Sequence, residues 1–377
     1  MSEFDLEEIT DRAGTGAPNF THGFNINGSD SGISAFTHTE GATAPSSPSN
    51  GDTWWNTDND SYHVYIDGEW KAWLGDTYAL FSWGGDRGLV FGIGSSYNDI
   101  IYFNITGSGG GSANFGDLTA ARSTSSGGSS GSRAVFGGGY DSSDPNAGRS
   151  SVIDYVTPSS TGNATDFGDL TAGRNALQAM SNGTRCLFSG GYTNNQGVGH
   201  AKWTTVIDYV TIANTGNATS FGNMTALAYN LGGTGAGDAT RGLIMGGIET
   251  SNKSIDYVTY DTTGNAADFG DLIYAVDRNS SCSDATRSVS FGGASAHSPS
   301  KRNIEYVTTQ TLGNATDFGD LTNVHGSNGS MSNGTIAITQ TGIDLEKVTI
   351  QTTGNATDFG DLLESRTSNS ATSGNPS

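Results

Sequence analysis

Thr161-Gly-Asn-Ala-Thr-Asp-Phe-Gly-Asp-Leu-Thr-Ala-Gly-Arg174 is a phrase that this chain repeats in weakening copies. The Phe of its Phe-Gly-(Asp/Asn)-(Leu/Met) core recurs at Phe115, Phe167, Phe221, Phe269, Phe318 and Phe359, at intervals of 52, 54, 48, 49 and 41 residues. A period near fifty, assembled from short strands and Gly-rich turns, predicts a radial array of sheets and not one compact enzyme core. The repeat sets the fold, so function has to come from what is attached to it.

Composition agrees with a turn-dense β-protein. Of 377 residues 56 are Gly, 34% are hydrophobic and only 15% are charged, a mixture too poor in Glu and Lys for helices and too patterned for disorder. The formal net charge is −21, and the 17 Lys and Arg are scattered. Neutralising phosphates takes basic clusters, so nucleic acid and direct binding to an anionic bilayer are argued against. No stretch approaches the roughly 18–20 apolar residues of a membrane span, and the acidic start MSEFDLEEITDR lacks the apolar core of a secretory signal. Cys186 and Cys282 lie in different repeats without metal spacing and read as small packing residues.

Aligned copies give one cassette. A first strand opens at Arg174 and runs into small polar residues. A second ends in glycines, as in Arg133-Ala-Val-Phe-Gly-Gly-Gly-Tyr140, with relatives at 185–192, 241–247 and 287–293. A variable loop follows, then a third strand, Ile153-Asp-Tyr-Val-Thr157, echoed at 207–211, 255–259 and 304–308. Its alternation places Asp and Val on one face, Ile and Tyr on the other. TGNATDFGDL reads as the closing turn, its Gly and Asn supplying positive φ.

This order resembles the kelch repeat, with Gly190-Gly191, Tyr209 and Phe221 in the family's places and Phe where the family usually has Trp. Over residues 80–377 the resemblance implies an all-β fold, a six-bladed kelch-like β-propeller of four-stranded blades. The ends predict closure: Phe359–Arg366 and the Ser-rich tail start a cassette that Arg87–Gly94 and Ile100–Phe103 complete. Joining them removes free sheet edges. The copy at Ile336-Ala-Ile338 is eroded, lacking Arg and Gly-Gly, and Lys347 replaces Tyr.

Residues 1–79 do not repeat. Ala44-Pro-Ser-Ser-Pro-Ser-Asn-Gly-Asp-Thr-Trp54-Trp55-Asn-Thr-Asp58 followed by Tyr62-His-Val-Tyr65-Ile-Asp-Gly-Glu-Trp70 reads as paired β-hairpins with turns at 57–61 and 67–68. So much aromatic surface on about thirty residues needs a partner or another subunit. The stretch resembles a small module of bacteriophage virion proteins, particularly tail and fibre components, and Ile9–Phe20 with Gly23–Ile26 resembles a leader of phage structural proteins. The resemblance implies a virion-attachment arm (1–44) binding other virion proteins and an aromatic β-hairpin neck (45–79) that oligomerises as a trimer. It also implies a propeller (80–377) displayed outward, in a virion assembled in a bacterial cytoplasm. Pro18, Phe20, Phe24, Trp54, Trp55, Tyr65, Trp70 and Trp73 are the attachment and oligomerisation candidates.

Catalytic motifs are absent. Asp-Phe-Gly occurs four times without a kinase's other parts, so it is architecture. Pairs such as Asp166 with Asp169 or Asp317 with Asp320 supply only a start on the six to eight oxygens of a Ca²⁺ site. Turn capping is the preferred reading, with Ca²⁺ at the rim carboxylates as its alternative, and no other cofactor or metal is expected. The Asn-Ala-Thr sequons at Asn163, Asn217, Asn314 and Asn355 read as turn residues. Arg133, Arg185, Arg241 and Arg287 are expected to pair with carboxylates of the same or the adjacent blade in a structural role, a ring of Arg facing an acidic ligand being the alternative. Tyr192, at the foot of the loop 193–204, and His200 and Trp203 on it are the candidate ligand-binding residues. The expected function is non-catalytic adhesion to a host-surface glycan or protein. A decoration protein without a ligand and a polysaccharide depolymerase are the alternatives; the latter needs two carboxylates about 5–9.5 Å apart across a groove.

Overall fold

In the computed structural model of this chain, the described residues are 38–49, 52–56, 61–66, 69–73, 85–91, 98–107, 111–141, 148–194, 201–227, 235–246, 253–293, 301–326, 329–366 and 370–374. The chain divides into two compact units, Met1–Leu80 and Phe81–Ser377. Pro18, Phe20, Phe24 and His200 lie outside the described residues.

The second unit is an all-β, six-bladed β-propeller, with no helix among the described residues. Blade two is representative, with strands Ser126–Ser129, Ala134–Gly137, Val152–Val156 and Thr165–Asp169 hydrogen-bonded in that order from the axis outward. Blades three, four and five repeat it with innermost strands Gln178–Ser181, Ala236–Gly237 and Ser280–Ser283. In blade one the innermost strand is Ser370–Gly374, from the chain's C-terminal end, paired antiparallel with Arg87–Phe91. Closure therefore follows the expected join of chain ends.

The eroded copy still makes blade six. Ile336–Thr349 is one 14-residue stretch that pairs with Ser330–Ser332 by its first half and with Thr357–Arg366 by its second. Gly342, at φ 59°, lies between the halves.

Packing explains the cassette. Between blades two and three, Val135, Ile153, Phe167 and Leu170 meet Leu177, Ala179, Cys186 and Phe188, all buried. Every seam has an equivalent layer. Cys186 and Cys282 are buried free thiols, as packing residues should be, and burial pushes both thiol pKa values up.

The innermost strands are small and polar because they crowd the axis. Their Ser, Gly and Ala residues let six strands meet, and hydrogen bonds cross every seam: Ser129 N to Ser181 Oγ, Gly235 N to Ala179 O, Gly237 N to Ser283 Oγ, Ser332 Oγ to Ser283 O, Ser373 Oγ to Ser332 O and Ser370 Oγ to Ser125 O. Ser hydroxyls satisfy buried backbone groups that a purely apolar centre would leave unpaired.

Two expectations are corrected. TGNATDFGDL is not one turn: its second half, Thr165–Asp169, is the outermost strand, and only the first half turns. That turn docks on the blade before it. Gly216 N donates to Phe167 O at 2.8 Å, Ala218 N to Asp169 O at 2.7 Å, and Asp169 N donates back to Asn217 Oδ1 at 3.0 Å. The same bonds join Asn163 to Asp117, Asn265 to Asn223, Asn314 to Asp271 and Asn355 to Asp320. The group that caps the edge amide across the seam is thus Asn, while an Asp of one pair caps within its own blade: Gly360 N donates to Asp358 Oδ1 at 3.0 Å. Gly168 shows the steric reason for the repeat: its φ is 147°, and a Cβ there would lie 2.4 Å from Gly216 O. At Gly116, Gly222, Gly270 and Gly319 the distance is 2.0–2.3 Å.

The second correction concerns the repeated arginines. Among the described residues, no carboxylate forms an ion pair with Arg87, Arg133, Arg185, Arg241 or Arg287. Each guanidinium lies 4.1–4.9 Å over the ring of Tyr102, Tyr155, Tyr209, Tyr257 or Tyr306. Each also donates to carbonyls of the next blade: Pro158, Ile212 and Ala213, Tyr260, Thr309 and Ile350. Each Tyr meets a Phe of the outermost strand edge-on at 5.8–6.3 Å. Stacking satisfies the cation without a carboxylate, at about 0.5–2 kcal/mol per pair.

The acid of the third strand spans the seam. Asp154, Asp208 and Asp256 accept from both the amide and hydroxyl of Thr119, Thr171 and Thr225; Glu305 and Glu346 accept from the amides of Ile273 and Thr322. Asp154 and Asp208 also hold the buried Arg122 and Arg174 at 2.9 and 2.7 Å. For Asp256 and Glu305 burial pushes the carboxyl pKa up, opposed by their hydrogen bonds.

Two outcomes are expected. Gly168→Ala should destabilise the propeller by about 2–4 kcal/mol, since the Cβ must displace backbone; an unchanged denaturation midpoint would contradict the docking. A raised carboxyl pKa stabilises the fold fully below its unfolded value, and that stability is lost as pH rises through the folded value. Asp256→Asn, which keeps an acceptor for Thr225, should therefore melt above the parent at pH 8, with the gap closing as pH falls toward about 4. A pH-independent gap would refute the assignment.

Candidate functional site

Blade three carries a structure that the frame does not need. Between its second and third strands, Tyr192–Asn194 and Ala201–Trp203 form an antiparallel ribbon, which pairs with Arg174–Asn175. The register sets Asn175 opposite Tyr192 and Tyr192 opposite Trp203. The first strand expected to open at Arg174 is thus two residues of ribbon base, and the innermost strand starts at Gln178.

The base is held rigidly. Buried Arg174 donates from Nη1 to Gly190 O and Val206 O, both at 2.8 Å, one carbonyl at each foot of the ribbon. Its Nη2 reaches Asp208 Oδ2 at 2.7 Å. Burial draws the guanidinium pKa down while Asp208 pushes it back up, so the cation and its partner stand as one unit. Ala176, at φ 58°, then turns the chain toward the innermost strand; Thr124, at φ 55°, does the same in blade two. Ala176 N donates to Thr124 O at 2.9 Å and Asn175 Nδ2 to Thr124 Oγ1 at 3.2 Å, tying the two bends together.

Blade two has a reduced copy of the ribbon. Single bridges join Ser123 to Tyr140 and Tyr140 to Arg149, so Arg149 stands where blade three has Trp203. Its guanidinium reaches across the seam to lie 4.5 Å over the Tyr192 ring, and the Tyr192 and Trp203 rings are 4.3 Å apart at 51°. Tyr140, Arg149, Tyr192 and Trp203 thus form a strip of flat groups over two blades. Tyr140 is 38% exposed, and the other three are half-buried.

Two of the three ligand candidates, Tyr192 and Trp203, are therefore brought together. Tyr140 and Arg149 escaped the sequence reading, although both tyrosines follow Gly-Gly at one cassette position. Arg149 ends a variable loop whose register nothing in the sequence marks. Flat apolar faces edged with donors suit the C–H faces and hydroxyls of a sugar ring. Among the described residues no group of three or more His, Cys, Asp or Glu is placed to hold a metal ion.

In the first unit, Thr53–Asn56, Ser61–Ile66 and Glu69–Trp73 form an antiparallel sheet, extended by His38–Gly41 parallel to Thr53–Asn56. The sheet thus begins within the stretch read as the arm. Trp54 is 6% exposed, stacks on His63 at 4.8 Å and meets Trp70 at 5.9 Å; Tyr65 meets Trp70 at 5.4 Å. Indole donors of Trp54 and Trp70 reach Gly41 O and Pro45 O, so residues 41–45 belong with this face. Trp55 and Trp73 both stand opposite Tyr62 in the register.

No protein-family model and no curated protein matches the chain. Architecture alone sets the class: a six-bladed β-propeller that bears a planar strip on blades two and three.

Proposed function

We propose that the chain is a bacteriophage virion appendage, a fibre or tail-associated protein, whose propeller recognises a host-surface glycan without catalysis. The observation that carries recognition is the Tyr140–Arg149–Tyr192–Trp203 strip. It is built on loops that ring closure does not require, and it is clamped at both feet by a buried arginine. Variable loops on a rigid frame are where binding evolves most readily.

The virion half of the reading rests on the motif around Gly51-Asp52-Thr53-Trp54-Trp55 and the leader before it. In it, residues 1–44 dock on other virion proteins and residues 45–79 oligomerise as a trimer, leaving the propeller outward and the protein resident in the virion. The kinship with kelch repeats is part of the same proposal, supported by Gly190-Gly191, Tyr209 and Phe221 in their cassette positions. The reading includes no catalytic residue, cofactor or membrane insertion.

Labelled full-length protein should bind host cells saturably and release no reducing sugar. Trp203→Ala and Tyr192→Ala should weaken that binding at least about tenfold with little change in melting temperature. Full binding by both variants would refute the strip as the site, and sugar release would replace recognition with depolymerisation.

A further inference from the structure

The Arg–Tyr stacks that cover five blades stop at blade six. Ile336 stands in the arginine position, and Lys347, opposite Thr357, stands where Tyr155 is opposite Thr165. Two thin aliphatic chains replace a guanidinium and a phenol ring. A cavity of about 330 Å³ lies at that place, within the range of small-ligand sites.

Its lining is unusual for this protein. Acidic residues outnumber basic ones 38 to 17 over the chain, yet among the described residues no carboxylate lines the cavity. Lys347, Thr349, Thr352, Thr353 and Thr357 are among the residues that line it, together with the apolar Ile336. The Lys347 ammonium lies 5.5 Å from the Phe359 ring centroid, and among the described residues no carboxylate pairs with it.

The geometry points to a binding site for an acidic sugar residue, a hexuronate. Its carboxylate answers the three donors of Lys347, and its ring hydroxyls answer threonines that both donate and accept. Its C–H face lies on Ile336. A compact polyanion such as phosphate would call for several cations or a nest of backbone amides, whereas one ammonium among hydroxyls matches one carboxylate on a polyol. The site deepens the reading of the propeller as a glycan binder and rests on that reading only for the source of the sugar. Its described lining lies in blade six, apart from the Tyr192–Trp203 strip on blades two and three.

The test is calorimetric titration of the full chain with glucuronate, glucose and inorganic phosphate, repeated on three variants. Lys347→Met removes the charge and keeps the stem. The double variant Ile336→Arg, Lys347→Tyr rebuilds the stack of the other blades and closes the cavity. Trp203→Ala reports on the strip. Glucuronate should bind the parent and Trp203→Ala equally, and glucose and phosphate at least about tenfold more weakly. Both blade-six changes should lower glucuronate affinity at least about tenfold, with the double variant melting no lower than the parent. No glucuronate binding, equal binding of glucose or phosphate, retention in the folded double variant, or loss in Trp203→Ala would each overturn the proposal. Because purified protein and free sugars are used, failure here leaves the cell-binding result to stand or fall separately.

Discussion

The propeller depends on one backbone contact: in blades two to six the Gly-Asn-Ala turn lies on the outermost strand of the blade before it. An outermost strand is a free edge, and free edges recruit other chains. Here the neighbour's turn takes up the edge carbonyls, Asn217 Oδ1 and its equivalents accept edge amides, and the glycine of Phe-Gly-Asp makes room. The turn-covered perimeter and the serine-linked axis hold the blades at both ends of their radius. Arg–Tyr–Phe stacks and the third-strand acids fill the span between.

That contact also explains why one phrase repeats more faithfully than the rest. Residues 161–170 serve two blades at once, so a change at Gly168 or Asn217 is felt across a seam. Loops after the Gly-Gly strands take no part in this contact and differ from blade to blade. The sixth seam is the exception. Blade one has Ile101 where the other blades have an acid, and Leu363 N, which stands at the position of Thr119 N, donates to Ser112 Oγ where the other seams use that acid. The C-terminal strand Ser370–Gly374, paired along its whole length with Arg87–Phe91, closes that seam instead.

Blade count, closure and strand order were legible because Phe115 through Phe359 mark a period and the two chain ends complete each other. The split of TGNATDFGDL was not. Its alternation is broken by a bulge, as between Ile153 and Asp154, and its glycine signals a close approach and not a turn. The arginine partners were misread because cation–π stacking leaves no charge pattern along a chain. At the candidate site, Tyr192 and Trp203 stood out as aromatics on a variable loop. Arg149 did not, since its contact with Tyr192 crosses a seam 43 residues away in sequence. The blade-six cavity was half legible: the loss of Arg and Tyr is plain at Ile336 and Lys347, but only packing turns that loss into space.

Amide hydrogen exchange tests the central contact directly. Gly162, Gly216, Gly313 and Gly354 lie in solvent-exposed turns, yet each N–H donates to a neighbouring blade's Phe carbonyl at 2.8–2.9 Å. The account predicts exchange as slow at these four amides as at mid-strand positions of the same blades. Exchange at the rate of an open loop would mean that the turns do not bind the edges and that the ring is held by its axis alone.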